Sequence, residues 1–420
     1  MSGKQIKNYL DAIQAFPEER EALIIGQKRY TYGLLAEKAA EKRRKLEEKT
    51  GRYIQVIRES TIENQLIAFL AGSGTGAVPV IVPVDIEVTE EILKAEIPEN
   101  ACMAVMTSGT SGKNKLLFRT FESWYKYFPF QNRIFGMGEN SRIFMQGSLA
   151  FTGNLNLYMA QLSAGGTIIG ADFFDPRVWL EEIERERADT IYLIPAKMRA
   201  LRQLYEKRQV KNGRIQTLIS GSQSMGKKEA EAFKKVFTDG EVILYYGASE
   251  LSYITFVRGC DMKSDNTLIG REFPKVQVRL EDGKFLVTTE YGVIGTEKET
   301  FIGDYGHMDE EGFFYFDGRK DDIYNINGRK VSAVRVENAL LEIGGVSEAA
   351  VKTVTERDRD VLSAWVVMKP GKEKDEGRIR KELAERLPFY EIPRHFFFIN
   401  ALPKTDSGKI IKRKLEFKGF

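Results

Sequence analysis

Cysteine and histidine are both scarce in this sequence. The two cysteines, Cys102 and Cys260, lie far apart, and the two histidines are His307 and His395. Two isolated cysteines form neither a disulfide framework nor a metal-binding spacing, and two histidines are too few for a multi-histidine zinc site. We therefore expect a protein of the reducing cytoplasm that relies on neither disulfides nor structural zinc.

Long apolar segments and a strong net charge are also missing. No window approaches the roughly 18 apolar residues of a membrane span, and the start of the chain lacks the apolar region of a secretory signal. The net charge is only +3 over 420 residues, which argues against a nucleic-acid-binding protein. With 42% hydrophobic and 29% charged residues, the composition is typical of a globular protein, and the length favours two or three domains.

Strand and helix patterns alternate along the first part of the chain. Examples are "ERADTIYLIPA", "RIQTLISGS" and "KKEAEAFKKVFTDGEVILYYG". This alternation predicts an α/β fold with mostly parallel sheets covered by helices. Further on, "VQVRLEDGKFLVTT" and "GFFYFDGRK" predict the hairpins of a β-rich subdomain. We predict a large N-terminal domain over residues 1–318 and a small, mobile α+β C-terminal domain over residues 319–420.

The stretch "MTSGTSGKNK", residues 106–115, combines two glycines, four hydroxyl side chains and two lysines. Accessible backbone N–H groups, hydroxyl donors and a lysine charge together favour phosphate binding. A Walker loop requires four residues between its glycines and then Lys-Ser/Thr, whereas Gly109 and Gly112 are two residues apart and Asn114 follows Lys113. The stretch therefore predicts a phosphate site outside the P-loop NTPases. The glycines of "AGSGTG" lack the full dinucleotide fingerprint, and we interpret them as a helix-to-strand turn.

Four separated motifs together carry a family resemblance. In chain order they are residues 107–115, "YYGASE" at 245–250, "GDYGHMDEEGFFYFDGRKDDIYNINGRK" at 303–330, and "LPKTDSGK" at 402–409. Their order and spacing resemble the adenylate-forming superfamily of acyl- and aryl-CoA synthetases, luciferases and nonribosomal peptide synthetase adenylation domains. Typical patterns there are TSGTTGxPK, YGxTE, TGD followed by GRxDD, and LPKTxSGK. The resemblance covers essentially the whole chain and implies the two-domain α/β architecture described above.

The resemblance implies an enzyme that uses ATP and Mg²⁺ to convert a carboxylic acid into an acyl-adenylate with release of pyrophosphate. A thiol then displaces AMP to give a thioester. Because two anions must meet, such a site works mostly by positioning and by cationic stabilisation. We interpret the acceptor as coenzyme A; the alternative is the phosphopantetheine arm of a separate carrier protein.

Two other classes of protein are less consistent with the motifs. A kinase-like phosphotransferase would release ADP, but the spacing is not that of a Walker loop and the terminal lysine motif is present. A nucleotide-binding protein without activity would have lost Glu250, Asp304, Arg319 or Lys409, and all four residues are present.

The resemblance also implies roles for individual residues. Those expected to bind ATP or AMP are Thr107, Ser108, Gly109, Thr110, Ser111, Gly112, Lys113, Lys115, Gly221, Ser222, Gln223, Tyr245, Tyr246, Gly247, Ala248, Ser249, Glu250, Asp304, Phe316, Arg319 and Lys409. The expected catalytic residues are Thr107, Glu250, Arg319 and Lys409. Within this set, Glu250 is the expected magnesium ligand, Asp304 binds the ribose hydroxyls, and Lys409 reaches the α-phosphate and the acyl carboxylate. Asp321 is the expected hinge, and rotation about it would bring the loop of Gly328 to the thiol.

The acid is expected to lie against Phe151, Thr152, Asn154 and Gly247. Many acyl-CoA ligases carry His where Phe151 stands, and amino-acid-activating members carry Asp where Thr152 stands. A buried ammonium group without that Asp would be costly, so we predict an aryl or medium-chain acyl acid and not an α-amino acid. Asn154, Asn156 and Tyr158 face either the acid or a helix-packing surface, and the sequence leaves both open. The phosphate loop also begins earlier than in most members, so the sequence does not define the pocket walls.

Overall fold

The computed structural model describes residues 5–84, 86–108, 114–326, 328–356, 359–404 and 410–416. The strands are β1 (Glu21–Ile25), β2 (Lys28–Thr31), β3 (Tyr53–Ile57), β4 (Ala77–Ile81), β5 (Met103–Ser108), β6 (Asn114–Arg119), β7 (Arg142–Gln146), β8 (Thr167–Ala171), β9 (Thr190–Tyr192), β10 (Thr217–Gly221), β11 (Glu241–Ala248), β12 (Ser252–Arg258), β13 (Leu268–Glu272), β14 (Val276–Glu281), β15 (Lys284–Thr289), β16 (Glu299–Met308), β17 (Phe314–Arg319), β18 (Ile323–Ile326), β19 (Arg329–Ser332), β20 (Val346–Glu356), β21 (Arg359–Met368) and β22 (His395–Phe398). The α-helices are α1 (Tyr9–Ile13), α2 (Tyr32–Glu47), α3 (Ile62–Gly72), α4 (Glu90–Leu93), α5 (Glu122–Tyr125), α6 (Phe128–Phe135), α7 (Thr152–Ser163), α8 (Pro176–Arg185), α9 (Pro195–Lys207), α10 (Lys227–Val236), α11 (Ala333–Leu341) and α12 (Glu376–Ala384).

The chain separates into two compact units. The first comprises Met1–Ser264, Gly270–Val278 and Val287–Thr300, and the second comprises Asp265–Ile269, Arg279–Leu286 and Phe301–Phe420. The second unit therefore contains β-hairpin segments as well as the C-terminal α+β region. In the described part of the chain, no helix is long and apolar enough to cross a membrane.

A mostly parallel sheet organises the first unit. Its strands follow the order β2-β1-β8-β7-β9-β10-β11-β12, and the pairs from β1 to β11 are parallel. The helices α7, α8, α9 and α10 connect successive strands from β7 to β11, as the alternation of patterns predicted. Strands β8, β9 and β10 are buried along their whole length, because helices cover both faces of such a sheet.

The strand order reverses between β7 and β9, since β8 lies on one side of β7 and β9 to β11 lie on the other. At such a switch point the connections after neighbouring parallel strands leave in opposite directions. A crevice opens there at the carboxyl ends of the strands, where α/β proteins bind their ligands. The sequence alternation thus positions a ligand site after β7, β10 and β11.

Two smaller sheets complete the described part of the first unit. Strands β3 and β4 are parallel, and β5 and β6 form an antiparallel hairpin. Residues 109–113, which connect β5 to β6, lie outside the described residues. The "AGSGTG" segment runs from the end of α3 to the start of β4, as the interpretation of a helix-to-strand turn required.

The second unit contains hairpins and a small α+β region. Strands β16 and β17 pair antiparallel, as do β18 and β19. Strands β20, β21 and β22 form a separate three-stranded sheet. Helices α11 and α12 pack on that sheet through a buried cluster that includes Val336, Leu340, Val351, Ile379 and Leu383. The predicted hairpins and the predicted α+β pattern are both present in this unit, while the predicted boundary at residue 318 stays a prediction.

Candidate active site

The hydroxyl-rich stretch lies on the β5–β6 hairpin. Thr107 is opposite Lys115 in the strand register, and Ser108 is opposite Asn114. The predicted phosphate-binding residues Gly109, Thr110, Ser111, Gly112 and Lys113 lie outside the described residues. Lys115 is exposed at the start of β6. The pairing of Ser108 with Asn114 brings the two ends of the loop next to each other.

Arg119, the last residue of β6, is fully buried. Its guanidinium donates to the carbonyl oxygens of Ser249, at 2.6 Å, and of Tyr291, at 2.9 Å. It also lies over the ring of Trp124, 5.2 Å from the centroid. Burial lowers the pKa of Arg119 to about 10, so the side chain stays charged at neutral pH. A buried cation therefore connects the strand after the phosphate loop to the turn that carries Glu250.

Glu250 lies in the turn between β11 and β12, and hydrogen bonds fix the backbone on both sides of it. Its carbonyl oxygen accepts from the N–H of Val293 at 2.8 Å, and the N–H of Leu251 donates to Ala248 at 3.1 Å. The carboxylate is partly exposed. In the residues that the structure describes, no group of three or more His, Cys, Asp or Glu side chains is arranged to hold a metal ion. Magnesium often takes one protein carboxylate together with substrate phosphates and water, and Glu250 fits that donor set.

The end of β10 approaches β11 so closely that it requires glycine. Gly221 is opposite Tyr245, and a Cβ at Gly221 would lie 2.5 Å from the Tyr245 ring. Ser222 follows with a φ of 69°, in the left-handed region, and Gln223 is exposed. The Tyr245 hydroxyl is 2.9 Å from the Tyr192 hydroxyl. Burial raises the pKa of Tyr245 to about 12, so the phenol remains neutral at physiological pH.

The β11–β12 pairing contains an irregularity at the motif itself. The register shifts between Tyr246 and Gly247. A Cβ at Gly247 would lie 2.3 Å from the carbonyl oxygen of Ser252, so only glycine fits at this position. The extra residue is Ile254 of β12, since Thr255 is opposite Tyr246 and Tyr253 is opposite Gly247. Such bulges are common next to active sites.

A cavity of about 140 Å³ lies next to this strand end. It is lined by Trp124, Phe151, Thr152, Gly153, Asn156, Ser222, Tyr245, Gly247, Ala248, Ser249, Ser252 and Tyr253. Of the residues predicted to contact the acid, Phe151, Thr152 and Gly247 line the cavity. Asn154 does not, because its Nδ2 donates to the Ser148 carbonyl oxygen at 3.0 Å. Asn156, whose role the sequence left open, is one of the lining residues.

In the second unit, Asp304 and Arg319 are opposite each other on β16 and β17. The Nε atom of Arg319 is 3.4 Å from Oδ1 of Asp304. The Asp304 side chain is buried, whereas that of Arg319 is 62% exposed. Phe316 is half-buried on the same hairpin, and its N–H donates to the Thr267 carbonyl oxygen. Three residues predicted to bind the nucleotide therefore share one hairpin.

The predicted hinge lies directly after this hairpin. Asp321 is exposed in the 3₁₀ helix Lys320–Asp322. Gly328 is in the β18–β19 turn with a φ of 82°, a conformation that favours glycine. Lys409 lies outside the described residues. The nearest described residues on its two sides, Lys404 and Ile410, form an antiparallel bridge.

Several lining or supporting residues were absent from the sequence-based predictions. They are Arg119, Trp124, Gly153, Ser252 and Tyr253. No local pattern marks them, because an aromatic or basic residue beside a strand also occurs in any core or on any surface. A Cβ at Gly153 would lie 2.7 Å from the Tyr192 hydroxyl, so this glycine is needed by a neighbour 39 positions away in the chain.

Family models match two regions of the chain. Residues 85–296 match the model described as AMP-binding enzyme, and residues 335–409 match the AMP-binding enzyme C-terminal domain. The first of these regions is just over half of the chain and contains the cavity and Glu250. The second contains α11, β20 to β22 and α12.

Curated relatives and solved structures are also similar to the chain. An uncharacterized acyl-CoA ligase of Bacillus subtilis, YhfT, is 25% identical over 76% of this chain and 69% of its own length. A long-chain-fatty-acid–CoA ligase of the same organism is 32% identical over 48% of this chain and 40% of its own length. The structure of Bacillus subtilis O-succinylbenzoate coenzyme A synthetase (MenE) with ATP and magnesium aligns with a TM-score of 0.84 at 20% identity, over 98% of this chain and 99% of that one. This structural likeness confirms the predicted α/β fold.

Proposed function

The chain belongs to the family of AMP-binding enzymes, and on that premise we propose that it activates a carboxylic acid with ATP and transfers the acyl group to the thiol of coenzyme A. The predicted family and the predicted class of enzyme, an AMP-forming ligase, are confirmed at the level of the family. The observation that carries the proposal is the position of the cavity. Its lining includes Gly247, Ala248 and Ser249, the residues that lead directly into the fixed turn of Glu250.

The first half-reaction requires the acid carboxylate to meet the α-phosphate of ATP. In this proposal the cavity binds the acid next to the end of β11, where Gly247, Ala248 and Ser249 contribute to its lining. Thr107 and Lys115 hold the two ends of the predicted phosphate loop, whose N–H groups and lysine charge bind the pyrophosphate that leaves. The rate enhancement then comes from positioning and from charge stabilisation.

Glu250 is the proposed protein ligand of magnesium. When bound, the ion would neutralise charge on the phosphates of ATP. The backbone bonds around Glu250, and the Arg119 bond to Ser249, hold the backbone of this turn in one place before the nucleotide arrives. This preorganisation removes the need to order the turn during binding.

Asp304, Arg319 and Phe316 are the proposed residues for the ribose and the adenine. The buried Asp304 carboxylate lies beside the Arg319 guanidinium and has oxygen atoms that can accept hydrogen bonds from two hydroxyl groups. The exposed Arg319 fork is the geometry that binds a phosphate oxygen and a ribose oxygen together. Gly221, Ser222 and Gln223 are proposed to lie along the edge of the adenine ring.

The second half-reaction is proposed to follow a rotation of residues 319–420 about Asp321. Lys409 would serve adenylation only, and the Gly328 turn would replace it when the thiol attacks. Gly328 lies in the short turn between β18 and β19. The cytoplasmic location stays a prediction.

Acid-dependent ATP–pyrophosphate exchange tests this function directly. We expect exchange with at least one class of carboxylic acid, and AMP as the only nucleotide product once coenzyme A is added. ADP as the product would contradict the proposal. If the thioester formed on a phosphopantetheinylated carrier protein and not on coenzyme A, the adenylation step of the proposal would stand. The acceptor would then be the carrier protein.

A further inference from the structure

The cavity next to Glu250 is small for an acyl site. Its volume of about 140 Å³ is close to that of an apolar cavity of about 150 Å³ that holds benzene. Pockets for larger ligands begin at roughly 300 Å³. A single six-membered ring fits such a space, whereas a long alkyl chain does not.

The cavity walls are aromatic and carry no charge. Four of the lining residues are Trp124, Phe151, Tyr245 and Tyr253, and none of the described lining residues is Asp, Glu, Lys or Arg. Aromatic faces and edges pack best against a flat aromatic ring. A second carboxylate or an ammonium group on the ligand would remain without a countercharge among these residues, which is costly in a buried site.

The walls are also held by contacts with one another and with two residues that do not line the cavity, Phe135 and Tyr192. Tyr253 packs edge-on against Tyr245, with centroids 4.8 Å apart, and edge-on against Phe135 at 5.3 Å. The indole N–H of Trp124 donates to the hydroxyl of Ser252 at 3.2 Å. The Tyr245 hydroxyl is already engaged by Tyr192. Because these contacts fix the positions of the wall residues, the cavity cannot widen for a longer ligand. It therefore selects acids by their size.

Among the polar side chains that line the cavity, Asn156 is a buried amide. Asn156 is only 4% exposed, lines the cavity, and accepts at Oδ1 from the Tyr253 hydroxyl at 3.0 Å. With Oδ1 engaged, the Nδ2 group is left as a donor, and among the described residues it has no hydrogen-bond partner. The Asn156 side chain lines the cavity, so a ligand there that supplies an acceptor can take up this donor and gain affinity.

From these observations, and resting on the proposed function, we infer that the acid is a compact aromatic carboxylic acid whose ring carries a hydrogen-bond acceptor for Asn156. A ring hydroxyl, or another small oxygen substituent, supplies that acceptor. The carboxylate faces the Gly247–Ser249 end of the cavity, where the residues proposed for the nucleotide begin. Asn156 thereby distinguishes a hydroxybenzoate from the methylbenzoate of the same shape.

The first test compares acids in the ATP–pyrophosphate exchange reaction. The panel contains benzoate, the three hydroxybenzoates, the three methylbenzoates, isobutyrate, octanoate and hexadecanoate. We expect one hydroxybenzoate to exceed the methylbenzoate of the same shape by at least about 10-fold in kcat/KM, as a site built for a hydrogen bond does. Octanoate and hexadecanoate should support no exchange.

The outcomes of this panel separate two kinds of failure. No exchange with any acid would contradict the proposed function itself. Exchange with octanoate or isobutyrate above every benzoate would leave the function standing and overturn the inference. Equal rates for the hydroxy and methyl isosteres would overturn the role of Asn156.

The second test removes the donor. In Asn156→Leu we expect the preference for hydroxybenzoate over methylbenzoate to fall from about 10-fold to about one. Asn132→Leu is the matched control, since Asn132 is also buried but donates to the Ala160 carbonyl oxygen and does not line the cavity. That variant should keep the preference even if its melting temperature drops. An unchanged preference in Asn156→Leu would overturn the inference.

A third variant covers the case in which Asn156→Leu fails to fold. Tyr253→Phe retains the ring and removes only the hydroxyl that orients the Asn156 amide. We expect it to weaken the same preference, measured as the ratio of kcat/KM for hydroxybenzoate to that for methylbenzoate. Direct binding of each acid, followed by quenching of tryptophan fluorescence without ATP, should give the same order of affinities. A fully retained preference in Tyr253→Phe, with Asn156→Leu unfolded, would contradict the orientation argument.

Discussion

The guanidinium of Arg119 donates a 2.6 Å hydrogen bond to the carbonyl oxygen of Ser249, the residue that precedes the proposed magnesium ligand Glu250. The other terminal nitrogen of the same guanidinium binds the carbonyl of Tyr291. Arg119 itself ends the strand that follows the predicted phosphate loop. One buried side chain therefore connects the end of β6 to the turn proposed for the metal.

Substitution of Arg119 by lysine should weaken both the fold and metal use. A lysine keeps the charge but has a single nitrogen, which cannot bind both carbonyl groups. Each buried carbonyl that loses its donor costs about 1–3 kcal/mol, so the free energy of unfolding should fall by about 2 kcal/mol. The Mg²⁺ concentration that gives half-maximal exchange should rise by about 10-fold, as for other residues that orient a metal ligand.

The control for this substitution is Arg177→Lys. The Arg177 side chain is 73% exposed, and its Asp175 partner lies outside the cavity lining. This variant should match the parent protein in both measurements. If Arg119→Lys lowered stability but left the Mg²⁺ dependence unchanged, Arg119 would have only a structural role.

Glu250→Gln tests the metal ligand. The amide keeps the size of the side chain but has no negative charge and is a poor magnesium ligand. We expect kcat for ATP–pyrophosphate exchange to fall by about 100-fold or more, with little change in melting temperature, because the side chain is partly exposed. Glu231→Gln, at an exposed position of α10, is the control. Exchange at the parent rate in Glu250→Gln would reject this residue as the ligand.

Lys409→Ala separates the two half-reactions. The lysine charge is needed where the carboxylate attacks the α-phosphate, so exchange should fall by about 100-fold or more. Thioester formation from a supplied acyl-adenylate and coenzyme A should be retained. Lys414→Ala, an exposed lysine nearby, should change neither rate. Equal loss of both half-reactions in Lys409→Ala would contradict the exchange of conformations about Asp321.

Lys412 forms ion pairs with two acidic residues of the second unit, and its replacement should leave their two carboxylates close together without a countercharge. Its Nζ is 2.6 Å from Asp322 and 2.9 Å from Glu337. Burial by itself would lower the pKa of Lys412, but the two carboxylates outweigh it and raise the pKa. Lys412→Met should lower the free energy of unfolding by about 3 kcal/mol at neutral pH, since both carboxylates then lack a countercharge.

The loss in Lys412→Met should shrink as the pH falls. Burial raises the pKa of Glu337, and without Lys412 it rises further. When an acid has a raised pKa in the folded state, its contribution to the stability of the protein is most favourable below the ordinary pKa of about 4.5. That contribution is lost as the pH increases through the raised pKa. Denaturant unfolding at pH 5 and at pH 8 measures the difference. A pH-independent loss would contradict the assignment to Glu337.

His307 should titrate above the usual range of histidine. The hydrogen bond that Nδ1–H of His307 donates to the Asp317 carboxylate, at 3.0 Å, raises the pKa of His307, and the imidazole also stacks on Tyr315. Its contribution to stability is therefore present below about pH 6.5 and is lost as the pH rises through the raised value. The Cε1–H signal in NMR titrations measures the pKa, and Asp317→Asn should lower it. Only one other histidine, His395, is present, so His395→Gln assigns the signals. A pKa unaffected by Asp317→Asn would contradict the proposed cause.

The family, the fold class and the position of each motif were readable from the sequence. Short motifs such as "MTSGTSGKNK" and "YYGASE" depend on local backbone requirements, and the structure explains the glycine of the second motif. Gly221 and Gly247 leave no room for a Cβ, which is why glycine stands there. The alternation of strands and helices likewise reflects burial on both faces of the sheet, a property that each segment carries by itself.

The walls of the acid cavity and the support of Glu250 were decided only by the tertiary structure. Arg119 contacts partners that are 130 and 172 positions away in the chain, and the Tyr253 hydroxyl reaches Asn156 across 97 positions. The sequence left Asn156 undecided between the acid and helix packing, and it placed Asn154 in the pocket although that side chain binds Ser148. Motifs are local and so can be read along the chain, whereas a cavity is formed by side chains from several segments, and its size and its unpaired donor exist only once the sheet has brought those segments together.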